Sequence, residues 1–85
     1  MSYKLEISKP AQKELFKLPK EAVEKISGAL DSLELNPRPI GSKKLIASEG
    51  YRIRIAAYRV LYTIDDEKRA IKVYRIGHRR EVYRF

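Results

Sequence analysis

The 85-residue chain has no cysteine, one histidine and only four glycines. Without thiols there are no disulfides and no thiolate zinc sites, which agrees with a reducing cytoplasm as the expected location. The lone His78 excludes a histidine pair working as acid and base. His, Cys, Asp and Glu do not gather at metal-ligand spacing, so neither a metal nor another cofactor is expected. There is no glycine-rich phosphate loop and no nucleophile elbow. The N-terminus MSYKLEISK lacks the apolar run of a signal peptide, and no segment approaches the roughly 20 apolar residues of a membrane span, so no membrane partner is expected. A chain this short buries roughly 60–65% of its unfolded surface. One small domain over 1–85 follows, with its chemistry on an open face.

Acidic residues are scarce where basic ones concentrate. The net charge is +8, of which +2 falls in residues 1–50 and +6 in residues 51–85. Eight of the nine arginines lie in that second part, against two of the ten lysines. Arginine carries a planar fork that grips phosphate bidentately and stacks on bases, whereas lysine acts as a solvated point charge. The balance favours a polyanionic partner.

Residues 3–7, YKLEI, alternate apolar and polar and predict a short strand. Ser8 is placed to cap a helix with Pro10 in its first turn, running to about Lys17 and broken by Leu18-Pro19. A second helix over about 20–35 carries Val23, Ile26, Leu30 and Leu33 on one stripe. The connector 36–50, NPRPIGSKKLIASEG, has Asn-Pro, Arg-Pro and glycines at its ends and is expected to be irregular. Residues 51–56 alternate Tyr51, Ile53 and Ile55 with Arg52 and Arg54. Residues 58–64 put Tyr58, Val60, Tyr62 and Ile64 on one face and Arg59 on the other. In residues 70–76 the period slips, since Ile71 and Val73 share one parity and Tyr74 and Ile76 the other. A bulge, or a strand covered on both faces, explains it. Gly77 is expected to end this strand, and 81–85 to form an extended tail. The fold class is α+β, in the order β-α-α-β-β-β. A helical hairpin packs on one face of a mostly antiparallel four-stranded sheet.

With the helices over the Ile/Val/Tyr face, Arg52, Arg54 and Arg59 are expected on the open one. Cleaving RNA with side chains alone takes a base for the ribose 2′-OH, a cation for the charge gained by the phosphate, and an acid for the departing 5′-oxygen. Arginines suit the second task and His78 the first or third. Tyr83 can stack on a base or reach a phosphate. Each also has an ordinary structural reading. Arg59 can be an ion-pair partner, Arg52 and Arg54 solvated strand residues, His78 a turn residue and Tyr83 a ring on the sheet edge.

The stretch YRIRIAAYRVLYTIDDEK…IKVYRIGHRREVYRF, with KPAQKELFKLPKEAVEKI…LELNPRP before it, resembles the RelE/ParE toxin superfamily over almost the whole chain, and within it the RelE branch. The resemblance implies a toxin of a type II toxin–antitoxin pair that enters the ribosomal A site and cuts mRNA there without a metal. The products are a 2′,3′-cyclic phosphate and a 5′-OH. It also implies contacts to 16S rRNA and a cognate RelB-like antitoxin. The alternative it leaves open is a ParE-like gyrase inhibitor acting by binding, and a third reading is a weakened ribosome or nucleic-acid binder. Arg59 matches the arginine taken to stabilise the phosphate. Arg79 matches the one near the leaving oxygen, with Arg80 as its alternative, and Tyr83 matches the tyrosine that orients the substrate. Arg52 and Arg54 stand where the best-described member has lysines. Arginine effectively cannot lose its proton, so the resemblance supplies no base there and His78 is the substitute. Lys43 and Lys44 join Arg52, Arg54 and Arg80 as phosphate-binding candidates. Ala56-Ala57 replaces a Gly-Asp pair and is read as a change of hairpin geometry.

Overall fold

Ser8 starts the helical part of the chain. Its backbone is extended, and its Oγ accepts a hydrogen bond from the Ala11 N–H at 3.3 Å, which satisfies a donor that a helix start leaves open. Helix α1 follows over Lys9–Phe16 and helix α2 over Lys20–Leu35, with Leu18-Pro19 between them. This is a computed structural model, and it describes residues 2–46 and 49–78. On α2 the buried residues are Ala22, Ile26, Leu30 and Leu33, the spacing of one helical stripe. Val23, expected in that stripe, packs half-buried at its margin.

The strands are β1 (Lys4–Ile7), β2 (Lys43–Lys44), β3 (Tyr51–Ile55), β4 (Tyr58–Asp65) and β5 (Ala70–His78). They form one sheet in the order β1-β5-β4-β3-β2. β1 runs parallel to β5 and every other neighbour pair is antiparallel. The sheet is therefore mixed and five-stranded where four strands were expected. The addition is β2, inside a connector expected to be irregular. Lys43 and Lys44 lie between its Pro-rich and Gly-rich ends and keep their N–H groups for pairing. Gly50 turns the chain back with φ +112°, and a Cβ there would lie 2.6 Å from the Tyr62 carbonyl oxygen, so no other residue fits.

The core lies between the helices and one sheet face. Ile26 and Leu33 of α2 and Val60, Tyr62, Ile71, Val73 and Ile76 of the sheet are all buried. Tyr62 is wholly buried yet satisfied, its hydroxyl donating to the Pro37 carbonyl at 2.7 Å. Burial pushes its pKa up.

The period slip in the last strand is a bulge. Leu61 opposes Arg75 and Tyr62 opposes Val73, leaving Tyr74 as the extra residue. That single insertion lets Ile71, Val73 and Ile76 all point into the core. Gly77 does not end the strand as expected. It stays in the ladder opposite Arg59, and His78 pairs with Tyr58, because β4 is long enough to reach that far. The tail expected at 81–85 lies outside the described residues.

Candidate nucleic-acid interface

Register decides which charges share the outer face, the one turned away from the helices. Directly paired residues on neighbouring strands project to the same side. Lys43 pairs with Arg52, Arg52 with Leu61, and Leu61 with Arg75. These four form a row running across the strands. A second row places Arg54 opposite Arg59 and Arg59 opposite Gly77. Lys43, Arg52, Arg54 and Arg59 are thus brought together as the sequence suggested. Arg75, which sequence reasoning missed, joins them. The signal for it was the period slip, which reverses the parity of every residue beyond the bulge.

Arg59 corrects one expectation, since it is only 5% exposed. β4 is the middle strand of the five, so its side chains are flanked on both sides. Leu61, also on the outer face, is 3% exposed, with Arg52 and Arg75 directly beside it. Arg54 and Lys43 are exposed and Arg52 half-exposed. Arg54 and Arg59 stand directly opposite one another, which concentrates positive charge at one place on this face.

Two candidates fall on the inner side. Lys44 pairs with Tyr51, so the two consecutive lysines point opposite ways. His78 shares its face with Tyr58, and the two rings meet edge to face with centroids 6.1 Å apart. The structure does not bring His78 to the arginines. Arg79, Arg80 and Tyr83 lie outside the described residues.

The other end of the outer face has the opposite character. Lys72 sits between Glu6 and Thr63, and a depression there is lined by Glu6, Glu49, Asp65, Asp66 and Glu67 together with Lys4 and Lys72. That end thus carries an acidic excess where the arginine rows carry a basic one.

The connector that delivers Lys43 is clamped in place. Arg38 grips Asp66 with both terminal nitrogens, at 2.8 and 3.2 Å, and donates through Nε to the Tyr51 hydroxyl at 3.0 Å. The Tyr3 hydroxyl donates to the same carboxylate at 2.7 Å, and Tyr51 stacks on Tyr62. The Arg38 and Tyr3 hydrogen bonds pull the Asp66 pKa down to about 2. Among the described residues no group of His, Asp and Glu could hold a metal, and no helix is long and apolar enough to cross a membrane.

Residues 5–83 match the family described as the ParE toxin of type II toxin-antitoxin system, parDE. The chain belongs to the RelE/ParE family of type II toxins. This toxin is 33% identical over 88 residues to a RelE1 toxin candidate of Methanocaldococcus jannaschii, a match covering 99% of this chain and 98% of that one. With toxin RelG of Mycobacterium tuberculosis it shares 30% identity over 86 residues, 99% of each chain. Its structure resembles that of the toxin–antitoxin complex RelBE2 from Mycobacterium tuberculosis, with a TM-score of 0.84 and 27% identity. That match covers 93% of this chain and 100% of the other. The α+β fold, two helices on a mixed sheet, is the fold of these structures.

Proposed function

We propose that this toxin is a ribosome-dependent endoribonuclease that cuts mRNA in the A site by attack of the ribose 2′-OH. It is a cytoplasmic protein held in check by a RelB-like antitoxin. The observation that carries this reading is the pair of in-register basic rows, with Arg54 and Arg59 set directly against each other. Such a face attracts the phosphates of a strand. Lys43, Arg52 and Arg54 hold flanking phosphates. Arg59, fixed in the middle strand, meets the phosphate as its charge rises. Arginine cannot serve as a base, and within these rows the remaining candidate is Lys43. His78, packed on Tyr58 on the far side, takes no step in this scheme. The resemblance assigns Arg79 or Arg80 to the leaving oxygen and Tyr83 to the substrate base. The wider partners are mRNA on the ribosome and 16S rRNA, with neither metal nor cofactor.

The test is single-turnover cleavage on programmed ribosomes, with mRNA ends mapped by primer extension. Arg59→Ala should slow cleavage by about 10²–10³, the usual cost of losing one transition-state donor, with little change in ribosome affinity. His78→Gln should cut at the wild-type rate across pH 5.5–8.5, a range set around the histidine's ordinary pKa of roughly 6.5. Full activity in Arg59→Ala sinks the assignment of this face. The second reading, gyrase inhibition by binding, is favoured by the name of the family that matches residues 5–83. It predicts loss of DNA supercoiling activity on adding the toxin, with mRNA left intact.

A further inference from the structure

We infer that Arg75 is a phosphate-binding residue of the same interface, held in position by Glu14; this rests on the reading of the outer face as an RNA-binding surface. Its placement begins with the bulge. Because Tyr74 is the inserted residue, Arg75 turns outward and Ile76 turns into the core, where it is fully buried. Without the insertion Arg75 would face the helices and Ile76 would face water. Burying an isoleucine is worth about 1.5–3 kcal/mol, while burying an arginine among apolar side chains is costly. The inner face therefore dictates that Arg75 lies on the outer one.

There it ends the longer basic row. Lys43, Arg52, Leu61 and Arg75 lie in register on β2, β3, β4 and β5. At about 4.8 Å per strand, Arg75 stands roughly 10 Å from Arg52 and 14 Å from Lys43. That span exceeds the separation of neighbouring phosphates in a single strand, so the row can meet more than one. The second residue of the arrangement comes from α1. β1 stops at Ile7, opposite Val73, and beyond it β5 has no strand on that side among the described residues. Glu14 fills the gap. Its Oε1 accepts the Ile76 N–H at 3.0 Å, and its Oε2 lies 3.3 Å from Arg75 Nε. One carboxylate thus ties the backbone and the guanidinium of adjacent residues to the same helix. The Arg75 side chain remains 30% exposed and that of Glu14 31%. An ion pair this open contributes little stability of its own, which leaves orientation as its main effect. Glu14 is a positioning residue, and Arg75 is the group that meets the anion.

The experiment is the salt dependence of binding a short single-stranded oligoribonucleotide, read by fluorescence anisotropy, with thermal melts of each variant. Each phosphate contact to a single strand adds roughly 0.7 to the slope of log affinity against log salt. Arg75→Ala should lower the slope by about 0.7, and Arg75→Gln, which keeps most of the stem beside Leu61, should do the same. Glu14→Gln should weaken binding of the oligoribonucleotide at low salt when Arg75 is present and leave it unchanged in the Arg75→Ala background, with only a slight drop in melting temperature. Lys68→Ala, in the exposed turn after β4, should change neither. If Arg75→Ala and Arg75→Gln keep the wild-type slope while Arg52→Ala reduces it, the inference falls and the interface stands. It falls too if Glu14→Gln weakens binding equally with Arg75 present or replaced, or in neither background, since Glu14 then does not act through Arg75. A wild-type slope near zero removes the RNA-binding reading itself.

Discussion

The two faces of strands β3 to β5 share one backbone and differ in everything else. On the inner face Val60, Tyr62, Ile71, Val73 and Ile76 are buried in one core with residues of α1 and α2. On the outer face, one residue along each strand, stand Arg52, Arg54, Arg59 and Arg75. Alternation alone separates a surface chosen for burial from one chosen for charge. The exceptions are instructive. Leu61 is an apolar residue on the charged side, buried between two arginines in the register. Lys44 and His78 are polar residues on the inner side, near the sheet's margins. Substitutions should therefore sort by face. Inner ones should cost stability and spare binding, and outer ones the reverse.

The largest stability effect is expected at Ile26, which is wholly buried at the centre of the α2 stripe. Ile26→Ala should destabilise the fold by about 2–5 kcal/mol through lost burial and the cavity left behind. Where it is still folded, the salt slope of RNA binding should match wild type. A denaturant titration with a binding measurement at low temperature checks both halves. A slope that falls in proportion to stability would break the distinction between the faces.

A smaller effect is expected where the faces are set in register. Ala56 and Ala57 form a two-residue turn, since Ile55 pairs with Tyr58, and Ala56 sits at φ +55°. Two-residue hairpins ask for a positive φ at that first position, usually met by glycine. Ala56→Gly should stabilise the protein by about 1 kcal/mol by relieving the left-handed strain. Because the turn sets Arg54 opposite Arg59, the cleavage rate should not change. A melting temperature at or below wild type would show that the turn carries no strain worth relieving.

The helices and the strands β3 and β4 were legible because each carries a local signal: the Ser8 cap, the Leu-Pro break, the stripe on α2, and alternation within residues 51–55 and 58–64. What escaped depends on partners distant in sequence. β2 is only two residues long and exists because β3 lies beside it. The slip in β5 was visible, but the identity of the inserted residue needs the register against β4, and with it the outward turn of Arg75. Gly77 resembles a strand end in sequence, yet it stays paired because Arg59 lies across from it. For the site, alternation gave Arg52, Arg54 and Arg59 their common face, and nothing local could send Lys43 and Lys44 to opposite ones. Arg38 was missed entirely, although it is the only arginine among residues 1–50, a hint that its planar fork was wanted.

That arginine supplies the last and smallest test, because its clamp joins the two faces. Arg38, Tyr3 and Asp66 fasten the connector whose far side delivers Lys43 to the outer row. Asp66 accepts from both residues, and its pKa is held down at about 2, so its folded value lies below its unfolded one. The sign follows from linkage. A carboxyl with a depressed folded pKa contributes stability that is fully present above its unfolded pKa, roughly 3.9, and is lost as pH falls through the folded value. The clamp should thus hold at neutral pH and fade between about pH 4 and pH 2, the interval set by the ordinary aspartate value and the depressed one. Both partners are exposed, so the effect should be modest and reduced by salt. Asp66→Asn removes the charge and keeps the shape. Its melting temperature should lie slightly below wild type at pH 7, and the two should converge as pH approaches 2. The variant should also bind RNA more weakly at pH 7 if the clamp positions Lys43. A stability gap that persists unchanged to pH 2 would mean that the Asp66 charge is not what fastens the connector. Equal RNA binding by the two proteins would mean that β2 holds its register through Arg52 and Tyr51 alone.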